Sequence, residues 1–176
     1  MSVNALIRRA TPGDAAAFAR IFAQPAAQAN TLQLPYPSAA MWTARLTENA
    51  PDLHQLVAEV DGLLVACASL RRNSEPRRAH AGEIGIGVDA AWQGRGVGRK
   101  LLAALIDLAD NWLALHRIEL RVFADNVAAI RLYESMGFVH EALLRGDGLR
   151  NGEFPDTAVM ARLHPNPPLQ RPEIRP

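Results

Sequence analysis

One run of the sequence, from Trp92 to Leu101 (WQGRGVGRKL), sets three glycines within five positions and adds three cations with no acid among them. Apolar residues at helical spacing follow, so the glycines precede a helix N-terminus. Such a terminus leaves four N–H groups unpaired and carries roughly half a positive charge. Arg95, Arg99 and Lys100 therefore stand at the wrong end of the helix dipole unless an anion joins them. A phosphate would satisfy the free amides and the dipole together. Glycine would let the backbone approach it closely, because no Cβ intervenes. This local conflict points to a phosphate-binding loop rather than to a flexible turn with solvated charges.

Two familiar phosphate loops do not fit. A P-loop requires Gly-Lys-Ser/Thr, and here Gly98 is followed by Arg-Lys-Leu. The dinucleotide fingerprint fits at Gly94 and Gly96 but has Arg99 at its last glycine. Asp89 to Trp92 also separate the preceding strand from the loop, where a dinucleotide fold turns at once.

Other chemistry-bearing residues are sparse. Glu83 is the only acid in the run His80–Val88 that leads to the loop. Strand alternation sets it on one face with Gly85 and Gly87. It is the general-base candidate, against the plainer role of a solvated or arginine-paired glutamate. Gly85 and Gly87 suit positions of close approach. Cys67, the one cysteine, lies in an apolar run and reads as a core residue. Its solitude excludes an intrachain disulfide and a multi-cysteine metal site. The five histidines are scattered and none is paired at i, i+4, so no metal is expected.

These residues need elements to hold them. The segments 5–10, 54–60, 63–70, 80–88, 117–123, 138–144 and 155–163 read as strands, with Asp61-Gly62 as a hairpin turn. Residues 11–24 and 35–48 read as helices, the second capped by Ser38. Residues 96–114 form the clearest helix, with Val97, Leu101, Leu105, Leu108 and Trp112 as its apolar stripe. Residues 126–135 form another, ended by Gly137. The connector 71–78 is polar and arginine-rich. The order β-α-α-β-β-β-α-β-α-β-β predicts an α+β fold, a mixed sheet flanked by helices, and not a run of uniform βα units.

Whole-chain properties bound the function. The 176 residues, 49% hydrophobic, suit one domain with a sizeable core. It is expected to span 1–164, because 165–176 carries five prolines in twelve residues and reads as an extended or disordered tail. A net charge of +1 argues against a nucleic-acid-coating role. No 18-residue apolar run spans a membrane, and the N-terminus lacks a signal-peptide pattern. A cytoplasmic location follows by default.

The spacing Gln93-x-x-Gly96-x-Gly98 resembles the acyl-CoA-binding loop of the GCN5-related N-acetyltransferase (GNAT) superfamily, whose pattern is Q/R-x-x-G-x-G/A between a strand and a long helix. The stretch 126–138 (NVAAIRLYESMGF) is similar to a second motif of that family, and the element order from 5 to 163 fits its fold. The segments 24–46, 110–113 (DNWL) and 149–162 look like a bacterial subgroup of L-amino-acid N-acetyltransferases.

The resemblance implies a central, mostly antiparallel twisted sheet of six to seven strands with about four helices. It implies acetyl-CoA as cosubstrate, no metal, and direct attack by an amine in a ternary complex. Gln93, Gly94, Arg95, Gly96, Val97, Gly98 and Arg99 would hold the pyrophosphate. Ile86, Gly87 and Val88 would pair with the pantetheine arm, and an amide near Val88 would polarise the acetyl carbonyl. Asn126 would contact the arm or a water, or cap its helix, or both. Tyr133 would act as general acid or thiol-positioning group near the sulfur. Some members carry a catalytic glutamate in the strand that reads RIELRVF here; the matching position is Arg121, and Glu119 is a distant second to Glu83.

The expected acceptor is a small-molecule amine, foremost a free L-amino acid, whose carboxylate would need a cation among Arg45, Arg72 and Arg150. Polyamines, antibiotic amines and protein N-termini remain alternatives, as does a non-catalytic acyl-CoA sensor. A homodimer is left open, as many members of the family are dimers.

Overall fold

A computed structural model of the chain describes residues 3–48 and 50–167. Strand β1 (Leu6–Arg9) leads into helices α1 (Ala15–Phe22), α2 (Pro25–Asn30) and α3 (Ala39–Thr47). Strands β2 (Leu53–Val60), β3 (Leu63–Arg72) and β4 (Ala81–Val88) follow, then α4 (Val97–Asp107), β5 (Arg117–Phe123) and α5 (Val127–Glu134). Strands β6 (Val139–Leu144) and β7 (Thr157–Leu163) close the fold. From residue 168 onward the expected proline-rich tail lies outside the described residues.

The seven strands form one sheet in the order β1-β2-β3-β4-β5-β7-β6. All pairings are antiparallel except β4 with β5. The expected mixed sheet is present, with five helices rather than four. No helix among the described residues is long and apolar enough to cross a membrane.

Short-range signals act where they are expected. Asp61 (φ 49°) and Gly62 (φ 79°) both take the left-handed region that a two-residue hairpin turn requires. The Ser38 hydroxyl accepts from the Met41 amide at 3.1 Å and opens α3. Gly137, at φ 89°, ends the chain's turn out of α5.

Two cores cover the two faces of the sheet. On one, Leu101, Leu102 and Leu105 of α4 pack on Leu70, Ile118 and Met160. Each such leucine contributes about 2 kcal/mol by burial. On the other, Phe18, Phe22 and Trp42 of α1 and α3 pack on Val57 and Cys67, with the Phe22 and Trp42 rings stacked 5.0 Å apart.

Three expectations change. Helix α2 occupies a stretch left unassigned by pattern. Helix α4 ends at Asp107 and passes into a π-helical turn over Leu108–Trp112. That wider turn moves the apolar stripe to Ala109, which is fully buried, and leaves Trp112 77% exposed. The third change is in β3, which runs on through Arg71 and Arg72, so the polar connector is shorter than 71–78.

Candidate active site

The site begins where two strands part. Strands β4 and β5 pair only from Ala81/Arg117 to Glu83/Glu119. Beyond that point β4 stays with β3, and β5 stays with β7 as far as Phe123/Thr157. A gap therefore opens beside Ile84–Val88. The Asp89 amide donates to Val65 at 2.9 Å, which fixes the alternation along β4. Gly85 and Gly87 bond toward β3, whereas the polar backbone groups of Ile86 and Val88 face the gap. There the Gln93 side chain donates to the Val88 carbonyl at 3.2 Å.

A cavity of about 730 Å³ fills this gap and reaches both faces of the sheet. On the α4 side it is lined by Gly94, Gly96, Gly98, Arg99, Asn126 and Tyr133; on the other by Glu83, Arg121, Phe22, Leu32 and Trp42. Thus Glu83, Ile86, Gly87, Val88, Gln93, Gly94, Gly96, Gly98, Arg99, Asn126 and Tyr133 all line one space. The side chains of Arg95 and Val97 do not. Val97 is buried in the α4 core and offers the loop its backbone alone. Arg95 lies over the Trp92 ring at 5.0 Å.

The loop geometry follows from its glycines. Gly94 (φ 71°) and Gly96 (φ 81°) are left-handed, and a Cβ on either would meet nothing within 4 Å. Gly96 is the N-cap of α4. Among the described residues the amides from Gly94 to Arg99 donate to no other backbone group outside the helix, and the first amides of a helix have no partner within it. Arg99 reaches Ser135 Oγ at 2.7 Å across the cavity rim. Lys100 departs from expectation: its Nζ donates to the Val3 carbonyl at 2.6 Å and is drawn away from the loop toward β1. At Gly87 the close approach is by Phe22, whose ring a Cβ would meet at 2.9 Å.

The loop has supports that spacing did not reveal. Gln24 Oε1 accepts from the Ala90 amide at 2.8 Å, and Asp89 Oδ1 accepts from the Ala91 amide at 3.0 Å. Arg20 pairs with Asp89 and also donates to the Leu64 carbonyl. Burial pushes the Asp89 carboxyl up, but the Ala91 amide, Arg20 and Gln24 together outweigh it and hold it below the usual carboxylate range.

Among the candidate catalytic groups, Glu83 is exposed and makes no ion pair with the described residues. Glu119 is taken: Arg78 reaches it at 2.7 Å and Arg117 at 2.9 Å. Tyr133 is 6% exposed, and burial pushes its phenol up to about 12. Asn126 caps α5, its Oδ1 accepting from the Ala129 amide at 3.2 Å, and also lines the cavity. Cys67 is buried, and that burial raises its thiol to about 12, so it is an inert core residue. None of Arg45, Arg72 and Arg150 lines the cavity. Arg45 donates to Gln33, Arg72 pairs with Asp52 and Arg150 with Asp125.

An open strand edge, a glycine loop with unpaired amides, an unpaired carboxylate and a buried phenol thus border one cavity, a set of groups that acyl transfer could use. Residues 17–138 match the model of the acetyltransferase (GNAT) family, and the chain belongs to that family. It is 44% identical over 158 residues to the L-amino acid N-acetyltransferase AaaT of Escherichia coli, covering 90% of this chain and 97% of that protein. The structure of yncA from Salmonella typhimurium with its cofactor acetyl-CoA matches with a TM-score of 0.80 and 28% identity, covering 93% of this chain and 97% of that one. A ribosomal-protein-alanine N-acetyltransferase from Brucella melitensis matches with a TM-score of 0.77 and 30% identity, over 90% of this chain and 99% of that one.

Proposed function

We propose that the chain transfers the acetyl group of acetyl-CoA to the amine of a free L-amino acid. The observation that carries the substrate class is the similarity to the E. coli L-amino acid N-acetyltransferase over 90% of this chain. An alignment of that length cannot omit the segment around Leu32, Gln33 and Trp42, which lines the cavity. The setting, on this reading, is the bacterial cytoplasm, with 1–164 as the transferase domain.

The residues present fit acyl-CoA. Unpaired amides and open space at Gly94 and Gly96 make a cradle for a pyrophosphate. The free edge at Ile86 and Val88 suits an extended amide-bearing arm. When bound, acetyl-CoA supplies an acetyl group activated as a thioester. The amides from Gly94 to Arg99 and the Arg99 guanidinium hold its phosphates, with Gln93 bracing the loop and Asn126 touching the arm. The Val88 amide stabilises charge that develops on the carbonyl oxygen. Glu83, directly or through a water, takes one proton from the acceptor ammonium, because only the neutral amine attacks.

Tyr133 completes the proton balance. The amine nitrogen sheds a second proton as the amide forms, and the departing sulfur gains one. Tyr133 hands its proton to the sulfur and is restored by the proton that the nitrogen sheds, directly or through a water. A phenol near 12 is a weaker acid than a thiol at about 8.5. Tyr133 is therefore a hydrogen-bond donor that relays a proton, and does not end the cycle as a phenolate.

Thiol release from acetyl-CoA, measured against free amino acids, polyamines and short peptides, tests the assignment. Turnover on free amino acids is expected. Turnover confined to polyamines or peptides, or binding of acetyl-CoA without turnover on any amine, would overturn it.

A further inference from the structure

Among the described residues only three charged side chains line the cavity: Glu83, Arg99 and Arg121. Arg99 stands at the glycine loop. Glu83 and Arg121 stand on the other side, on the two strands that diverge. The parallel register sets Glu83 beside Glu119, and Arg121 follows two residues on, so it shares the Glu83 face. Diagonal neighbours of this kind lie roughly 7–8 Å apart before the strands splay. One carboxylate and one guanidinium thus border the same acceptor space.

Arg121, which the sequence did not single out for this role, is less engaged than the three arginines expected for the acceptor. Arg150 is held by Asp125 and the Ala29 carbonyl. Arg72 faces Asp52 at 3.0 Å, and Arg45 reaches Gln33 at 2.9 Å and lies over the Trp42 ring. Arg121 makes one contact, Nη1 to Asp147 Oδ2 at 3.5 Å, the limit of a hydrogen bond, and its side chain is 54% exposed. Four of its five donors are free among the described residues. A guanidinium fork in that state matches a carboxylate bidentately.

We propose that Arg121 binds the α-carboxylate of the acceptor and so selects free amino acids over amines and peptide N-termini that lack it. The inference rests on the amino-acid assignment above and names the group that would enforce it. In an α-amino acid one carbon separates the carboxylate from the nitrogen. A carboxylate anchored on Arg121 turns the ammonium toward Glu83 across the gap. A simple amine finds Glu83 but no anchor.

The test compares the best amino-acid acceptor of the wild type with its decarboxylated amine. Loss of a charged hydrogen-bond partner weakens binding by about 10- to 100-fold. Arg121→Ala and Arg121→Gln should each raise the amino acid's KM by that factor and collapse the preference over the amine equally. The KM for acetyl-CoA should stay within about threefold, since the loop does not touch Arg121. An unchanged preference in both variants would overturn the proposal, as would its collapse in Arg72→Ala or Arg45→Ala instead. Should the wild type acetylate amines or peptides but no free amino acid, the parent assignment falls, and this one with it. A preference for the amino acid that survives unchanged in both Arg121 variants leaves the parent standing and removes this inference alone.

Discussion

Gly96, at the N-cap of α4, and Gly98, two residues on inside the helix, should respond to alanine with opposite consequences. Gly96 is left-handed at φ 81°, with open space where a Cβ would project. Alanine there meets no atom, so any cost is conformational. A left-handed L-residue costs roughly 1–2 kcal/mol, offset by about 0.4–1 kcal/mol from a less flexible unfolded chain. The net loss is about 1 kcal/mol, or a melting temperature lower by roughly 2–4 °C in a chain this size. The loop relieves that strain by turning an amide out of the cradle. One lost charged hydrogen bond then weakens acetyl-CoA by about 10- to 100-fold.

Gly98 lies inside α4 with an ordinary helical conformation, and a Cβ would meet Val88 at 3.4 Å and Leu132 at 3.6 Å. Those are normal contacts, and alanine gains up to about 1 kcal/mol of helix propensity. Gly98→Ala should melt at or slightly above the wild-type temperature and bind acetyl-CoA within about threefold. Thermal melts with and without acetyl-CoA, together with calorimetric titration, read both quantities. Equal binding by Gly96→Ala and the wild type, or equal losses in the two variants, would refute the link between the left-handed glycine and the ligand.

Further expectations follow from the same geometry. Tyr133→Phe should lower kcat by about 100-fold, the lower range of general-acid effects, with acetyl-CoA affinity kept; an unchanged kcat removes the proton relay. Glu83→Gln should cut the rate at neutral pH and flatten the acidic limb of the pH–rate profile, and an unaltered profile excludes Glu83 as base. Asp89→Ala should cost about 1–3 kcal/mol by leaving buried donors unpaired and weaken acetyl-CoA through the loosened turn; a variant that melts and binds like the wild type refutes the support role. Acid should destabilise the protein in two steps. Burial, with repulsion from Arg9, lowers the His54 pKa, so stability drops as pH falls below about 6.5. Asp14, held low by Arg8, and Asp89 give stability that is complete above about pH 4 and is lost as pH falls through their folded values. His54→Gln should erase the first step in melts across pH and leave the second.

Signals confined to a few residues were legible in the sequence. Asp61-Gly62, Ser38 and Asn126 each act on backbone within three positions, so spacing alone reveals them. The loop from Gln93 to Gly98 was legible for the same reason. Helix α2 was not, because Pro25–Asn30 has no apolar period and is held by Ala27 docking into the second core. The π-helical turn that exposes Trp112 leaves no mark in a pattern that assumes a constant period. Lys100 was assigned to an anion by proximity in sequence, yet its partner is a carbonyl at Val3. Arg20 supports the loop through Asp89, a contact spanning 69 residues that no motif encodes. Arg121 lines the cavity beside the point where β4 and β5 stop pairing at Glu83, a property of register and not of residue type.

Following an isotope-labelled acetyl group from acetyl-CoA into an equimolar mixture of free amino acids, their decarboxylated amines and a short peptide tests the central claim most directly. The account predicts label on the α-nitrogen of the free amino acids, well ahead of the other two. Label carried mainly to the amine or the peptide terminus, or retained on CoA throughout, would contradict it.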